Sequence, residues 1–216
     1  MTRATRFRLL MVLASVVLLG VLLVAVATVR RTIGSATPKP ADTSQIAAPG
    51  KLWAAPAFSL TDQAGQTLTN QDLLGKVWVA DFFFTHCPGI CIMLSANMRD
   101  LHEELSRRPD QGGVQLISFS LDPARDTPEV LREYAQALDA EPDTWAFLRG
   151  SQEEIWQLSE TGFRLSVSAS GDQANPIAHT GNLVLVDQQG VIRGFYDGLT
   201  PQGLAELRQD IAKLTP

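Results

Sequence analysis

Hydrophobic and polar positions divide the chain into an unbroken apolar run, a polar spacer and a long patterned region. Leu9 to Val29 is 21 residues without a charge. As a helix it would span roughly 30 Å, the thickness of a bilayer's hydrocarbon core. Residues 32–52 are rich in Pro, Ala, Ser and Thr and show no apolar period, which predicts a linker. The pattern then changes. "FSLTDQAGQTLT" predicts two short strands around a turn at Asp62 to Gly65. "KVWVADFFFT", with only Asp81 polar in its middle, and "GVQLISFSLD" predict buried central strands. Ile90, Leu94, Met98, Leu101 and Leu105 recur at helical spacing and predict a helix over 90–107.

Helix punctuation is explicit further on. Thr127 followed by Pro128, and Thr200 followed by Pro201, mark helix starts. Ser151 and Glu154 form a capping box. "WAFLRG" predicts a short strand, and "NLVLVDQQGVIRGFYDG" a hairpin turning at Gln188 to Gly190. Strands alternating with helices predict an α/β fold with a sheet covered by helices. The polar segment 163–178 reads as a long connection of the functional or mobile kind. The organisation expected is therefore an anchor over 1–31, a linker over 32–52 and one domain over 53–216.

Charge narrows the compartment and the partners. Arg3, Arg6 and Arg8 precede the apolar run and Arg30 and Arg31 follow it, a bias that leaves the N-terminus in the cytoplasm and the domain outside. "AVA" at 25–27 also resembles a signal-peptide cleavage site, but the length of the run favours an uncleaved single-pass anchor. The whole chain has 18 basic and 23 acidic residues, and the five basic residues of the first 31 face no acids there. The remainder is strongly acidic, which excludes nucleic acid as a partner.

The chemistry concentrates in "THCPGIC", which holds the only two cysteines, Cys87 and Cys91. They lie between a buried strand's carboxyl end and a helix start, where reactive groups gather in α/β sheets. A helix N-terminus favours the thiolate, so depressed thiol pKa values are expected. The i, i+4 spacing can place both sulfurs on one face, a pair suited to a soft metal. A plain disulfide would close too short a loop to stabilise much. A closed zinc site needs four ligands, and no second spaced pair exists. Of the three histidines, His86 and His102 read as surface residues or residues packed beside a site. His179, 88 residues after Cys91, could add a nitrogen donor to the two sulfurs, though a lone histidine is more often structural.

"FFFTHCPGIC", "SFSLDPARDTPEVLREYA" and "HTGNLVLVDQQGVIRGFYDG" together resemble the Sco/SenC family of membrane-anchored copper proteins. The resemblance implies a thioredoxin-like α/β fold with a central mixed sheet flanked by helices. It implies one copper ion per monomer held by Cys87, Cys91 and His179. It also implies delivery of copper for the dinuclear copper site of cytochrome c oxidase, with that site's subunit, a second periplasmic copper chaperone and the inner membrane as partners. Two positions depart from the family pattern: Ile92 stands where many relatives have Pro, and Ala178 where many have Asp. A turn and a helix cap account for Asp126, Thr127 and Pro128, leaving Asp122 and Arg125 as candidates for a partner surface. The same two thiols also suit a thiol-disulfide reductase acting on the oxidase's copper-ligand cysteines. C-x-x-x-C in place of C-x-x-C, and His179 where a reductase carries Pro, favour metal. A thiol peroxidase fits poorly, since T-x-C replaces T-x-x-C.

Overall fold

A computed structural model describes residues 53–108, 113–141 and 143–215. The expected anchor and linker lie outside the described residues. Among the described residues no helix is long and apolar enough to cross a membrane.

A first hairpin, β1 (Ser59–Thr61) and β2 (Thr67–Thr69), turns through Asp62–Gly65. Gly65 takes a positive φ of 80° there, and the Asp62 carboxylate accepts from the Ala64 and Gln66 N–H groups. The main sheet has five strands. β3 (Trp78–Phe83) is its centre, and every residue of it is buried. That is why the sequence there is a continuous apolar run with no alternation. β4 (Gln115–Ser120) and β5 (Trp145–Leu148) lie parallel on one side of β3. β8 (Asn182–Val186) pairs antiparallel on the other side, and β9 (Ile192–Asp197) pairs antiparallel with β8. The order is β5-β4-β3-β8-β9, a mixed sheet. Edge strand β9 alternates buried and less buried positions, as an edge should.

Helices cover the sheet. α1 (Ile90–Ser106) leaves the end of β3 and buries Cys91, Leu94, Met98 and Leu101, a 3–4 spacing. α2 (Pro128–Ala137) starts at Thr127, whose side chain accepts from Val130 N–H, with Pro128 in the first turn. Its Tyr134 stacks on Phe83 and meets Phe147 edge-on, so α2 covers that face of β3 and β5. The opposite face is an aromatic layer in which Phe82 stacks on Phe119 and both meet Phe163. α3 (Gln152–Gln157) opens with the Ser151–Glu154 capping box and runs into a π-turn, Leu158–Gly162. α4 (Pro201–Leu214) is capped by Thr200 and packs on β9, where Tyr196 donates to Asp210 at 2.7 Å.

The polar segment 163–178 departs from expectation. It is no bare connection but carries a small hairpin, β6 (Val167–Ala169) and β7 (Ile177–His179). Val167 and Ile177 are buried and hold it to the core.

At the other end of the sheet the chain enters along β9. Ala54 bridges Val191, Ala55 N–H donates to Gly190, and Ile192 N–H donates to the Trp53 carbonyl. β9 begins beside Val186 of β8, which pairs with Trp78 at the start of β3. The entry of the chain and the cysteine loop therefore sit at opposite ends of the central strand.

Candidate metal centre

β3 ends at Phe83, and a tight turn follows in which Cys87 N–H donates to the Phe84 carbonyl at 3.2 Å. α1 begins three residues after Cys87, so Cys87 is not on the helix. The turn, and not a shared helical face, brings the sulfurs together. Gly89 precedes α1 without a side-chain cap, which leaves the helix's first N–H groups facing the loop. The remaining donor comes from across the sheet. His179 ends β7, pairs with Val167, and lies three residues before β8. α1 is pinned to that side by Asn97 Nδ2, which donates to the Gly198 carbonyl at 2.7 Å. Gly198 permits the approach, since a Cβ there would stand 2.5 Å from Leu94 Cδ1.

The Sγ atoms of Cys87 and Cys91 and a ring nitrogen of His179 all lie within 4.8 Å of one another. Both cysteines are buried free thiols, and His179 is partly buried. His179 Nδ1 is 3.0 Å from the Thr180 carbonyl, which can only accept. Nδ1 therefore carries the proton, and the lone pair of Nε2 points at Cys91 Sγ, 3.1 Å away. Phe84 meets the imidazole edge-on at 5.8 Å and limits its rotation.

The electrostatics reverse one expectation. Burial, reinforced by the bond with Cys87, pushes the Cys91 thiol well above the ordinary thiol range, against a Phe84 backbone bond that lowers it. The open end of α1 does not outweigh desolvation. Burial also lowers the pKa of His179, opposed by the Thr180 bond, so the ring is held neutral. A neutral imidazole beside two thiols that must shed protons is the form a metal requires.

The other candidates separate cleanly. His86 is exposed and bonded through Nδ1 to Thr85 Oγ1 at 2.8 Å, in a turn and not an extended strand. His102 is neither on the surface nor near the site. It is buried against Trp145 and bonded to Thr144 Oγ1 at 2.7 Å. Asp122 and Arg125 pair with each other at 3.5 Å, and Arg125 is half-exposed. Ile92 and Ala178 are exposed beside the site. Asp126 differs from its expected place in a helix cap. Its carboxylate is fully buried and bonds Thr85 and Ser120. Nothing in the local sequence signals this, because Asp before a Thr-Pro helix start reads as capping.

The SCO1/SenC family model matches residues 47–215. A SCO1 protein homolog of Bacillus subtilis is 32% identical over 155 residues, which is 71% of this chain and 79% of that protein. BsSco, a member of the Sco family of cytochrome c oxidase assembly proteins, has a solved structure similar to this one. The identity is 31% and the TM-score 0.67, over 79% of this chain and 98% of that one. ScoI of Bradyrhizobium japonicum, solved with copper bound, is 26% identical with a TM-score of 0.59, over 73% of this chain and 99% of that one. The match spans the sheet, the cysteine loop and the His179 approach together, and the chain belongs to the SCO1/SenC family.

Proposed function

We propose that the protein is a copper carrier that takes one copper ion on Cys87, Cys91 and His179 and hands it on in assembly of the copper site of cytochrome c oxidase. The observation that carries this reading is the convergence of two sulfurs and an unprotonated imidazole nitrogen within 4.8 Å. Two thiolates and one imidazole suit copper, and three ligands leave the ion open to transfer. The copper-bound ScoI structure and the oxidase-assembly role of BsSco support the choice of ion and destination. Binding must displace two thiol protons, so affinity should rise with pH. The receiving partner is the oxidase subunit that holds the copper site, and a second periplasmic copper chaperone would supply the ion. Residues 1–31 would anchor the protein in the inner membrane, with 32–52 as linker and the domain from 53 in the periplasm. The motive is the 21-residue apolar run behind a basic head.

A second reading, reduction of the oxidase's cysteines, is favoured by one observation: the two free thiols lie close enough to exchange with a disulfide. His179→Ala separates the two. Exchange needs only an attacking and a resolving thiol. A carrier lacking His179 should fail to restore oxidase activity to a strain without the protein, grown at low copper. Full restoration would overturn the carrier reading.

A further inference from the structure

We propose that Asp126 is a positioning residue for the cysteine loop, holding the turn that carries Cys87 by way of Thr85. The inference deepens the copper-carrier reading and rests on it for its functional meaning. Asp126 is fully buried, yet it lies 39 residues from Cys87 in sequence, and its carboxylate bonds Thr85 and Ser120 and not a cysteine. A buried carboxylate is costly unless donors surround it. Here the donors are Thr85 Oγ1–H at 2.5 Å, Thr85 N–H at 3.3 and 3.4 Å to the two carboxylate oxygens, and the Ser120 hydroxyl. A strut tying β4 to the start of α2 would need Ser120 alone. The bonds to Thr85 reach instead to the residue that enters the Cys87 turn.

The anchor itself is fixed. Asp126 N–H donates to the Asp122 carbonyl at 2.9 Å, and its own carbonyl accepts from Arg149 Nε at 3.0 Å. Arg149 donates a second bond to the Pro123 carbonyl at 2.9 Å. At the far end of the loop Gly89 gives α1 no side-chain cap, and Cys91 is met by His179 Nε2 at 3.1 Å. Asp126 also fixes the state of His86. Thr85 has a single hydroxyl proton, and it goes to Asp126. At the 2.8 Å contact with His86 Nδ1 the imidazole must then donate. That contact turns Nδ1 of the exposed ring toward Thr85, one residue before Cys87. One buried carboxylate thus sets both the turn before the first sulfur and the orientation of the exposed imidazole beside it.

The test compares Asp126→Asn, Thr85→Val and Thr85→Ser in the full-length, thiol-reduced protein. Hydrogen exchange of the metal-free protein, read by mass spectrometry, should show peptides across Thr85–Cys91 exchanging about tenfold faster in Asp126→Asn and Thr85→Val, with β8 and β9 unchanged. Thr85→Ser keeps the hydroxyl and should exchange as wild type. After loading with copper(I), release to a copper(I) chelator should be about tenfold faster in the first two variants and normal in the third. Unchanged loop exchange in Asp126→Asn, or loop and β8–β9 peptides accelerating together, would overturn the proposal. If Asp126→Asn does not fold, equal loop exchange in Thr85→Val and Thr85→Ser overturns it and unequal exchange upholds it. Failure of the wild type to take up copper(I) would count against the carrier reading, while the exchange comparison still decides the role of Asp126.

Discussion

Asp81→Asn should remove most of a pH dependence built into the centre of the sheet. Asp81 sits in the middle of β3, fully buried, with Ser118 Oγ–H donating to its carboxylate at 2.5 Å and Trp145 Nε1 donating in turn to Ser118. Burial raises its pKa from 3.8 to about 7, with the Ser118 bond opposing. The folded chain thus holds a proton at Asp81 up to about pH 7, while the unfolded chain releases it near 3.8. Between those values the folded state binds more protons, so stability is full below the lower value and falls as pH rises through the upper one. At 1.36 kcal/mol per tenfold change in proton affinity, the loss between pH 5 and pH 8 is about 3 kcal/mol. Asparagine has nearly the same shape and cannot ionise. Urea unfolding of the metal-free, reduced protein at both pH values, followed by tryptophan fluorescence, measures the difference. With a slope of roughly 2 kcal/mol per molar urea, the wild type should lose about 1.5 M of midpoint relative to Asp81→Asn on going from pH 5 to pH 8. Other titrating groups are common to both proteins and cancel. An equal gap between the two proteins at pH 5 and pH 8 would refute the argument.

Two further outcomes are expected. Thr127→Ala removes the side-chain bond to Val130 N–H at 3.4 Å and should cost about 1 kcal/mol, read as a fall of roughly 2–4 °C in melting temperature; no change would mean that Pro128 alone starts α2. A tag fused after Pro216 should resist protease in intact cells and be cut once the outer compartment is opened, and recovery of full-length protein in the cytosolic soluble fraction would contradict the proposed anchor.

What the sequence made legible is mostly what local chemistry decides. β3 and β4 announce themselves because burial on both faces demands continuous apolar residues. Thr127–Pro128, Ser151–Glu154 and the Gln188–Gly190 turn act through neighbours within four residues, and each stands as expected. The cysteine pair was visible as chemistry, and His179 became its partner through a family pattern. Most of the misses share one cause, contacts distant in sequence. The burial of His102 depends on Thr144 and Trp145, 42 and 43 residues on. Asp126 finds Thr85 at a separation of 41. The thiol of Cys91 is governed by how deeply the loop is packed, and spacing from a helix start cannot report that depth. The β6–β7 hairpin escaped because its strands are three residues each and mostly exposed, with only Val167 and Ile177 buried to hold it down.

The entry of the chain along β9 has a mechanical consequence. Trp53 and Ala55 are stitched to Ile192 and Gly190, at the pole of the sheet away from the sulfurs. The six residues of β3 between the poles span about 20 Å. A mooring that pulls at Trp53 therefore loads one pole, while the cysteine loop rides the other, clear of the line of force. If the proposed anchor holds the protein at a membrane, a flexible spacer of 21 residues would have a reach of at most about 70 Å. Cargo carried at the free pole would sweep a shell around the mooring point. Shortening that spacer should contract the shell and limit which acceptors the loop can meet, without altering a single ligand.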